Sequence, residues 1–489
     1  MKILKFMIIF ICLLWNVVIL FLPASKVSAE KDIKNTIDSY VETFLKEHRI
    51  PGASIAIVHE NDIFYSKAWG GTGETEEKVT TKTPFTIGSI SKSLTGLAIM
   101  KLMEEGKVHL EDPVQKYIPW FTLKDKEAAS KITIKHLLSH SSGISTYSGL
   151  SISDKESKDV NAIKDNVESL SNVVLTAPPG KKHQYSNANF VILGALIEEV
   201  TNQTYSDYMK QEVFLPLGMK NAAADNDSAY KKGYLAGYQS WFGIPRKSSI
   251  TYDNGGAPYG YITASAEDMV QYIKFLSGQE NADFLTENMM NLYVSPHVQT
   301  GETRYYGLGV RITNPDSEKK MIWHSGSTPD SHAEMFFIPE TGWGGVILTN
   351  KNHILEEEAL SYLKQGIINI INGEKPVDIP SNTPIVQLVT LGTICLLFAM
   401  LVYLLVKVKS KKIHKKSIWC ISGIIFFVLS IAIIPALIYS ADSPWHAIYV
   451  FSPDLAYLSI GIVILFALNG LFSIIIAFKQ NLQVKYFNS

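Results

Sequence analysis

Phe85-Thr86-Ile87-Gly88-Ser89-Ile90-Ser91-Lys92 places a serine three residues before a lysine where an apolar helix begins. Positions i and i+3 share a face of a helix, so the lysine nitrogen can reach the serine oxygen and share its proton. The same Ser-x-x-Lys spacing recurs at Ser28/Lys31, Ser228/Lys231, Ser317/Lys320 and Ser361/Lys364, so spacing alone decides nothing. Context separates them. Only Ser89 precedes a long apolar periodic run, Leu94 to Met103, closed by Glu104, Glu105 and Gly106, the pattern of a strong helix with a glycine stop. Ser89 is the candidate nucleophile and Lys92 its proton-transfer partner.

The ends of the chain point to export and a membrane. Lys2 and Lys5 precede an uncharged run from Phe6 to Leu22, and Val27-Ser28-Ala29 supplies small residues before Glu30. This predicts a secretory signal over residues 1–29, with an uncleaved anchor helix as the alternative. Three more uncharged runs, Ile385 to Val406, Ile418 to Tyr439 and Leu455 to Phe478, are each long enough to cross a bilayer. The loop between the first two holds Lys407, Lys409, Lys411, Lys412, Lys415 and Lys416; the loop before the third has Asp442 and Asp454 and no lysine or arginine. Positive-inside logic puts the first loop and the tail over 479–489 in the cytoplasm. The expected organisation is a multi-pass protein of the cell membrane, with an extracytoplasmic domain over 30–373, a linker over 374–384 and transmembrane helices within 385–478. The spans hold no Asp, Glu, Lys, Arg or His, which argues against an ion pathway, and Asn469 is expected to bond a neighbouring helix.

Composition excludes other classes. Forty-five basic residues balance 46 acidic ones, so there is no basic stripe for nucleic acid. The three cysteines, Cys12, Cys395 and Cys420, all lie in apolar segments, which leaves the exported part without a disulfide framework and dependent on its core. His136 and His140 stand at i, i+4 without the glutamate of a zinc-protease helix, and no Cys/His cluster, Gly-x-Ser-x-Gly elbow or phosphate-cradling glycine loop occurs. Neither metal nor cofactor is expected. The oligomeric state is left open.

Along the exported part, an amphipathic helix is predicted from Asp32 to Glu47, then a hairpin of Ala53 to Val58 and Ile63 to Trp69 around Glu60-Asn61-Asp62. A helical middle follows, including a helix from Asn189 to Val200. Strands return at Tyr306 to Thr313, Met321 to Trp323, Ala333 to Ile338 and Gly344 to Thr349, before a helix from Leu355 to Ile371. Strands at both ends with helices between predict an α/β sandwich: one sheet built from both ends, flanking helices and an inserted helical lobe, with a cleft between lobes.

Two further segments offer partners for Ser89. Pro179-Gly180-Lys181-Lys182-His183-Gln184-Tyr185-Ser186-Asn187 is a turn that delivers Tyr185 and Asn187 just before an apolar helix. With cations nearby to lower its pKa, Tyr185 would act as a base, and Asn187 would donate to a substrate amide. Tyr252/Asn254 and Tyr486/Asn488 share the spacing, but Tyr252 reads as a loop residue with no helix after it and Tyr486 is cytoplasmic in the expected topology. Trp323-His324-Ser325-Gly326-Ser327 lies on a predicted strand whose small residues admit a substrate backbone, and the Ser327 N–H would join the Ser89 N–H as an oxyanion hole.

Ser89-x-x-Lys92, Tyr185-x-Asn187 and His324-Ser325-Gly326, in that order, resemble the serine β-lactamase and penicillin-binding protein superfamily in its class C, DD-peptidase-like branch. Leu137-Leu138-Ser139-His140-Ser141-Ser142-Gly143-Ile144 and Leu193-Gly194-Ala195-Leu196-Ile197-Glu198 carry the likeness further, from about Asp32 to Ile371. The resemblance implies an acyl-enzyme cycle in which Ser89 attacks a carbonyl, Lys92 and Tyr185 move the proton, and water deacylates. Many members begin the third motif with lysine, which helps hold a substrate carboxylate; His324 stands there instead, and a mostly neutral histidine would anchor it weakly. That favours esterases and D-amino-acid peptidases over efficient β-lactam hydrolysis. Signal, catalytic domain and three spans together resemble membrane-bound D-asparaginyl peptidases that remove an acyl-D-Asn cap from exported prodrugs. The expected substrate is a small peptide or other D-amino-acid-containing amide or ester. The alternatives are a cell-wall DD-peptidase, an esterase, a weak β-lactamase and, in another class, a non-enzymatic ligand-binding sensor.

Overall fold

The computed structural model describes residues 30–72, 77–278, 284–409 and 416–486. The expected signal segment over 1–29 lies outside them, as do Lys411, Lys412 and Lys415. The chain divides into two units, one of Ile50–Glu357 with Thr383–Ser489, the other of the residues up to Arg49 with Glu358–Asn382.

The first unit is built on an eight-stranded sheet. Its strands are β1 (Gly52–His59), β2 (Asp62–Gly70), β3 (Val298–Gln299), β4 (Arg304–Tyr306), β5 (Arg311–Thr313), β6 (Met321–Thr328), β7 (Ser331–Ile338) and β8 (Trp343–Thr349). They lie in the order β2-β1-β8-β7-β6-β5-β4-β3, with every neighbour antiparallel. The expected joining of both ends of the domain into one sheet thus occurs between β1 and β8, where Ile55 faces Ile347. Central β1 and β7 are buried on both faces, whereas β6 alternates part-exposed and buried residues, as strand geometry requires when one face is open. The predicted hairpin turns at Glu60 and Asn61, both with positive φ, a two-residue loop whose twist matches the strands. One expectation needs correcting. Tyr306 to Thr313 is not a single strand: β4 and β5 flank a turn at Gly307–Val310 that closes with Gly307 N–H donating to Val310 O at 2.8 Å.

That turn is held against helix α1 (Ser91–Glu104), which is buried nearly all round, including Lys92, Ser93 and Thr95. A helix buried on every side is a core element, and each fully buried Leu94, Leu97, Ile99 or Leu102 contributes about 1.5–3 kcal/mol. Contact between helix and turn is backbone to backbone: a Cβ on Gly96 would fall 2.3 Å from Leu308 O, and one on Gly309 2.6 Å from Lys92 O. Ser93 Oγ adds a hydrogen bond to Gly309 O at 2.7 Å. Helix α2 (Asn187–Thr201) packs on α1, and α3 (Ala266–Leu276), opened by a Ser265/Asp268 capping box, packs on β1 and β8.

Among the described residues, three helices are long and apolar enough to cross a membrane: α4 (Ile385–Lys409), α5 (Lys416–Ala441) and the Pro453–Lys479 part of α7 (Pro453–Tyr486). Short helix α6 (Trp445–Phe451) joins α5 to α7. Ile385, Leu396 and Ile431 are among their many exposed apolar side chains, a surface suited to lipid. Asn469 Nδ2 donates across to Leu397 O at 3.0 Å, the interhelical bond expected of it. In the second unit, a helix over 30–47 and most of Glu357–Ile371 are linked by Tyr40 Oη donating to Tyr362 O at 3.1 Å.

Candidate active site

Ser89 sits in the tight turn Gly88–Ile90 immediately before α1, not on α1 itself. Strand pairing fixes that turn. Phe85–Thr86 pairs with Thr263–Ala264, Ile87 N–H donates to Ile262 O at 3.0 Å, and Ile262 N–H donates to Ser91 Oγ at 3.2 Å. This lays the Ala257–Tyr261 segment beside α1, where Tyr259 O accepts from Lys92 Nζ at 2.9 Å. The same amine lies 2.9 Å from Ser89 Oγ, hydrogen-bonding distance for proton exchange. Rings of Tyr185, Tyr259 and Phe190 stand 4.8, 5.4 and 5.9 Å from it. Burial, and then the positive charge of Arg311, hold the Lys92 pKa well below the usual lysine value, with Asp154 pulling the other way. Water is excluded and the charged form is disfavoured, so the amine is poised as a base.

Tyr185 reaches the same point from the other side. Ser89 and Arg311 both lie close enough to favour its ionised form. The turn that delivers it is anchored by buried His140, whose Nδ1 accepts from Ser186 N–H at 3.1 Å and whose ring lies 4.2 Å from that of Tyr185. His136 and His140 do not act as a pair: His136 caps the turn before it through Thr133. The expected lowering of the Tyr185 pKa is overturned. Burial raises it, and the charge of Arg311 with the nearness of Ser89 offsets only part of the effect, so the resting phenol keeps its proton. Asn187, the first residue of α2, donates through Nδ2 to Ser153 Oγ at 3.0 Å.

The third motif lies on β6. Buried His324 commits both ring nitrogens inside the protein, Nδ1 to Ser325 O at 2.6 Å and Nε2 to Tyr306 Oη at 3.1 Å. A nitrogen facing a carbonyl must carry hydrogen, so Nδ1 donates to Ser325 O, while Tyr306 Oη can either donate to Nε2 or accept from it. Gly326 and Gly88 let two backbones meet: a Cβ on Gly326 would fall 2.0 Å from Ile87 O and 2.7 Å from Ser89 N, and one on Gly88 2.2 Å from Ser327 N. The Ser89 and Ser327 N–H groups are thereby neighbours, while Ser327 Oγ pairs with His332 Nδ1 at 3.0 Å. Ser325 is part-exposed on the same strand.

Sequence reasoning missed Arg311. It stands opposite Trp323 on β5 and lies over the rings of Tyr185, Tyr306 and Trp323 at 5.2, 5.5 and 5.5 Å. Among the described residues no carboxylate pairs with it, and its buried Nε has no partner. The available signal was its rarity, one of four arginines in the chain, directly after Gly307-Leu308-Gly309-Val310.

A sequence profile of the family described as Beta-lactamase matches residues 37–365, more than half of the chain. The chain belongs to the beta-lactamase family. Among curated relatives of this beta-lactamase-family chain, Protein flp of Staphylococcus aureus strain MW2 is 29% identical over 339 residues, covering 69% of the chain and 67% of that protein. A penicillin-binding protein of Bacillus subtilis strain 168 is 27% identical over 360 residues, covering 70% and 77%. Among solved structures, the octameric penicillin-binding protein homologue from Pyrococcus abyssi superposes with a TM-score of 0.61 at 26% identity over 73% of this chain and 81% of that one. A D-alanine carboxypeptidase AmpC from Burkholderia cenocepacia, at 20% identity, shares the fold with a TM-score of 0.57 over 70% and 99% of the two chains.

Proposed function

We propose that this protein is a serine hydrolase that cleaves amide or ester bonds of D-amino-acid-containing substrates through an acyl-enzyme at Ser89. The observation that carries the reading is the buried Lys92 amine, 2.9 Å from Ser89 Oγ with its pKa held down. Lys92 takes the serine proton as Ser89 attacks the carbonyl, and the Ser89 and Ser327 N–H groups stabilise the oxyanion. Tyr185, protonated at rest and with its ring 4.8 Å from the Lys92 amine, passes a proton to the leaving group and is recharged from Lys92. Asn187 and Ser325 line the cleft for the acyl side, and water releases the product.

Substrate class follows from charge. His324 commits both ring nitrogens within the protein, so it does not reach out to a substrate as a lysine would there. Arg311, permanently charged and beside Tyr185, does so from the neighbouring strand. This favours a leaving group bearing a free carboxylate, as in a peptidase that releases a D-amino acid or peptide; an acyl-D-Asn cap is one such acyl donor. In this reading the catalytic region, residues 30–373, faces outward and the three apolar helices anchor it, with the lysine-bearing loop after α4 inside.

The test is to incubate purified full-length protein with a fluorophosphonate, a fluorescent penicillin and a panel of N-acyl-D-amino-acid peptides, D-Asn included. Mass spectrometry should locate the adduct on Ser89 and detect turnover of at least one peptide, and Ser89→Ala should abolish both. Stoichiometric labelling without turnover of any peptide would instead leave a ligand-binding sensor.

A further inference from the structure

The connector between α5 and α7 reaches back to the catalytic body. Asp454 Oδ1 lies 2.9 Å from His353 Nε2, both side chains fully buried, and Asp454 Oδ2 accepts from Phe242 N–H at 2.9 Å. Ile354 N–H donates to Phe451 O at 3.1 Å and Gln239 Nε2 to Val450 O at 2.6 Å. These bonds secure the C-terminal end of α6. At its other end His446 Nε2 donates to the main-chain carbonyl of Asp154 at 2.8 Å, a bond between residues nearly 300 positions apart.

Asp154 belongs to the frame of the active site. It has a positive φ of 56°, a backbone state that costs a non-glycine residue about 1–2 kcal/mol and needs outside support. Its N–H donates to Tyr259 Oη at 3.0 Å and its carboxyl accepts from Tyr261 Oη at 2.7 Å. The main-chain carbonyl of Tyr259 is the acceptor for Lys92, and Ser153, one residue before Asp154, is the acceptor for Asn187. One two-residue segment therefore touches the supports of both Lys92 and Asn187. His446 holds the carbonyl that sets its direction.

We propose that His446, on the connector between the second and third apolar helices, is a positioning residue of the Ser89 site: its hydrogen bond to Asp154 O fixes the Ser153–Asp154 segment, which braces Lys92 through Tyr259 and Asn187 through Ser153. The apolar helices then serve the chemistry as well as the anchoring. The role rests on the Ser89–Lys92 reading above and acts through other residues, not on the substrate.

The test uses the full-length chain in detergent micelles and follows fluorophosphonate adduct formation at Ser89 for wild type, His446→Ala, His446→Gln and His446→Glu. Glutamine puts an N–H donor where His446 Nε2 stood; glutamate matches its length without a donor. Alanine and glutamate should slow the reaction about three- to tenfold, the loss of one neutral hydrogen bond, with the thermal midpoint little changed and the glutamine variant within about twofold of wild type. Wild-type rate in the alanine variant, or equal rates for glutamine and glutamate, would overturn the role. If the alanine variant does not fold, the glutamine–glutamate pair decides. Absence of any wild-type adduct on Ser89 would overturn the nucleophile assignment and this role with it, whereas a wild-type adduct with equal variant rates overturns this role alone.

Discussion

Replacing Lys92 with methionine separates what the amine does for rate from what it does for stability. Methionine keeps an unbranched apolar stem in the same buried position and removes the nitrogen. Proton transfer by a placed base contributes about 10²–10⁴ in rate, or roughly 3–5 kcal/mol of the barrier, so acylation of Ser89 should fall by that factor. Stability receives two opposed terms. Loss of the Lys92 hydrogen bond leaves Tyr259 O buried and unpaired, at about 1–3 kcal/mol. Against this, the folded pKa of Lys92 lies below its unfolded value, so the unfolded chain binds a proton that the folded chain refuses. Stability then rises with pH between the two values, and below the folded one the penalty is fully present, at about 1.4 kcal/mol per unit of depression. Methionine abolishes that penalty. The two terms oppose each other, so at neutral pH the variant should lose less stability than the unpaired carbonyl alone would cost, read as the thermal midpoint of full-length protein in detergent. The wild-type acylation rate should also climb with pH along a limb well below the ordinary lysine range. A methionine variant that acylates within about tenfold of wild type, or that loses more than about 4 kcal/mol, would refute a resting neutral base.

Tyr185→Phe should reduce amide turnover about a hundredfold or more and ester turnover much less, because a poor leaving group needs the proton that the phenol carries; equal losses on matched amide and ester substrates would remove Tyr185 from that step. Arg311→Gln should lower kcat/KM for carboxylate-bearing substrates by roughly ten- to a hundredfold relative to neutral analogues, the size of one charged hydrogen bond, and an unchanged ratio would count against the anchor. In Gly326→Ala the new methyl would meet Ile87 O and Ser89 N. Displacing one oxyanion donor should cost about 10²–10³ in acylation and about 1–3 kcal/mol in stability, read by adduct kinetics and thermal melting.

What could be read from the chain was what acts locally. Ser89 and Lys92 lie three positions apart at a helix start, Tyr185 and Asn187 share one turn, and Gly326 marks a strand that another backbone must approach. Each carries its geometry in its own few residues, as do the apolar runs of α4, α5 and α7. Arg311 was not legible because its place depends on the β5–β6 register that sets it opposite Trp323. His446 and Asp154 meet through a main-chain carbonyl, which leaves no trace in residue type. The Tyr185 pKa was read in the wrong direction because neighbouring cations can be guessed from sequence, whereas the desolvation that outweighs them cannot. The β4–β5 stretch was read as one strand because its apolar alternation runs straight through the glycine turn.

The glycine contacts of α1 with the Gly307–Val310 turn bear on how this protein would fail on heating. Side-chain packing can loosen by rotamer exchange, but here main chain touches main chain, with Gly96 against Leu308 O and Gly309 against Lys92 O. Such a joint offers no intermediate slack. The spacing among Ser89, Lys92 and Arg311 is therefore as durable as the core itself, so Ser89 reactivity and tertiary structure should disappear in a single transition, without a folded but unreactive stage before it.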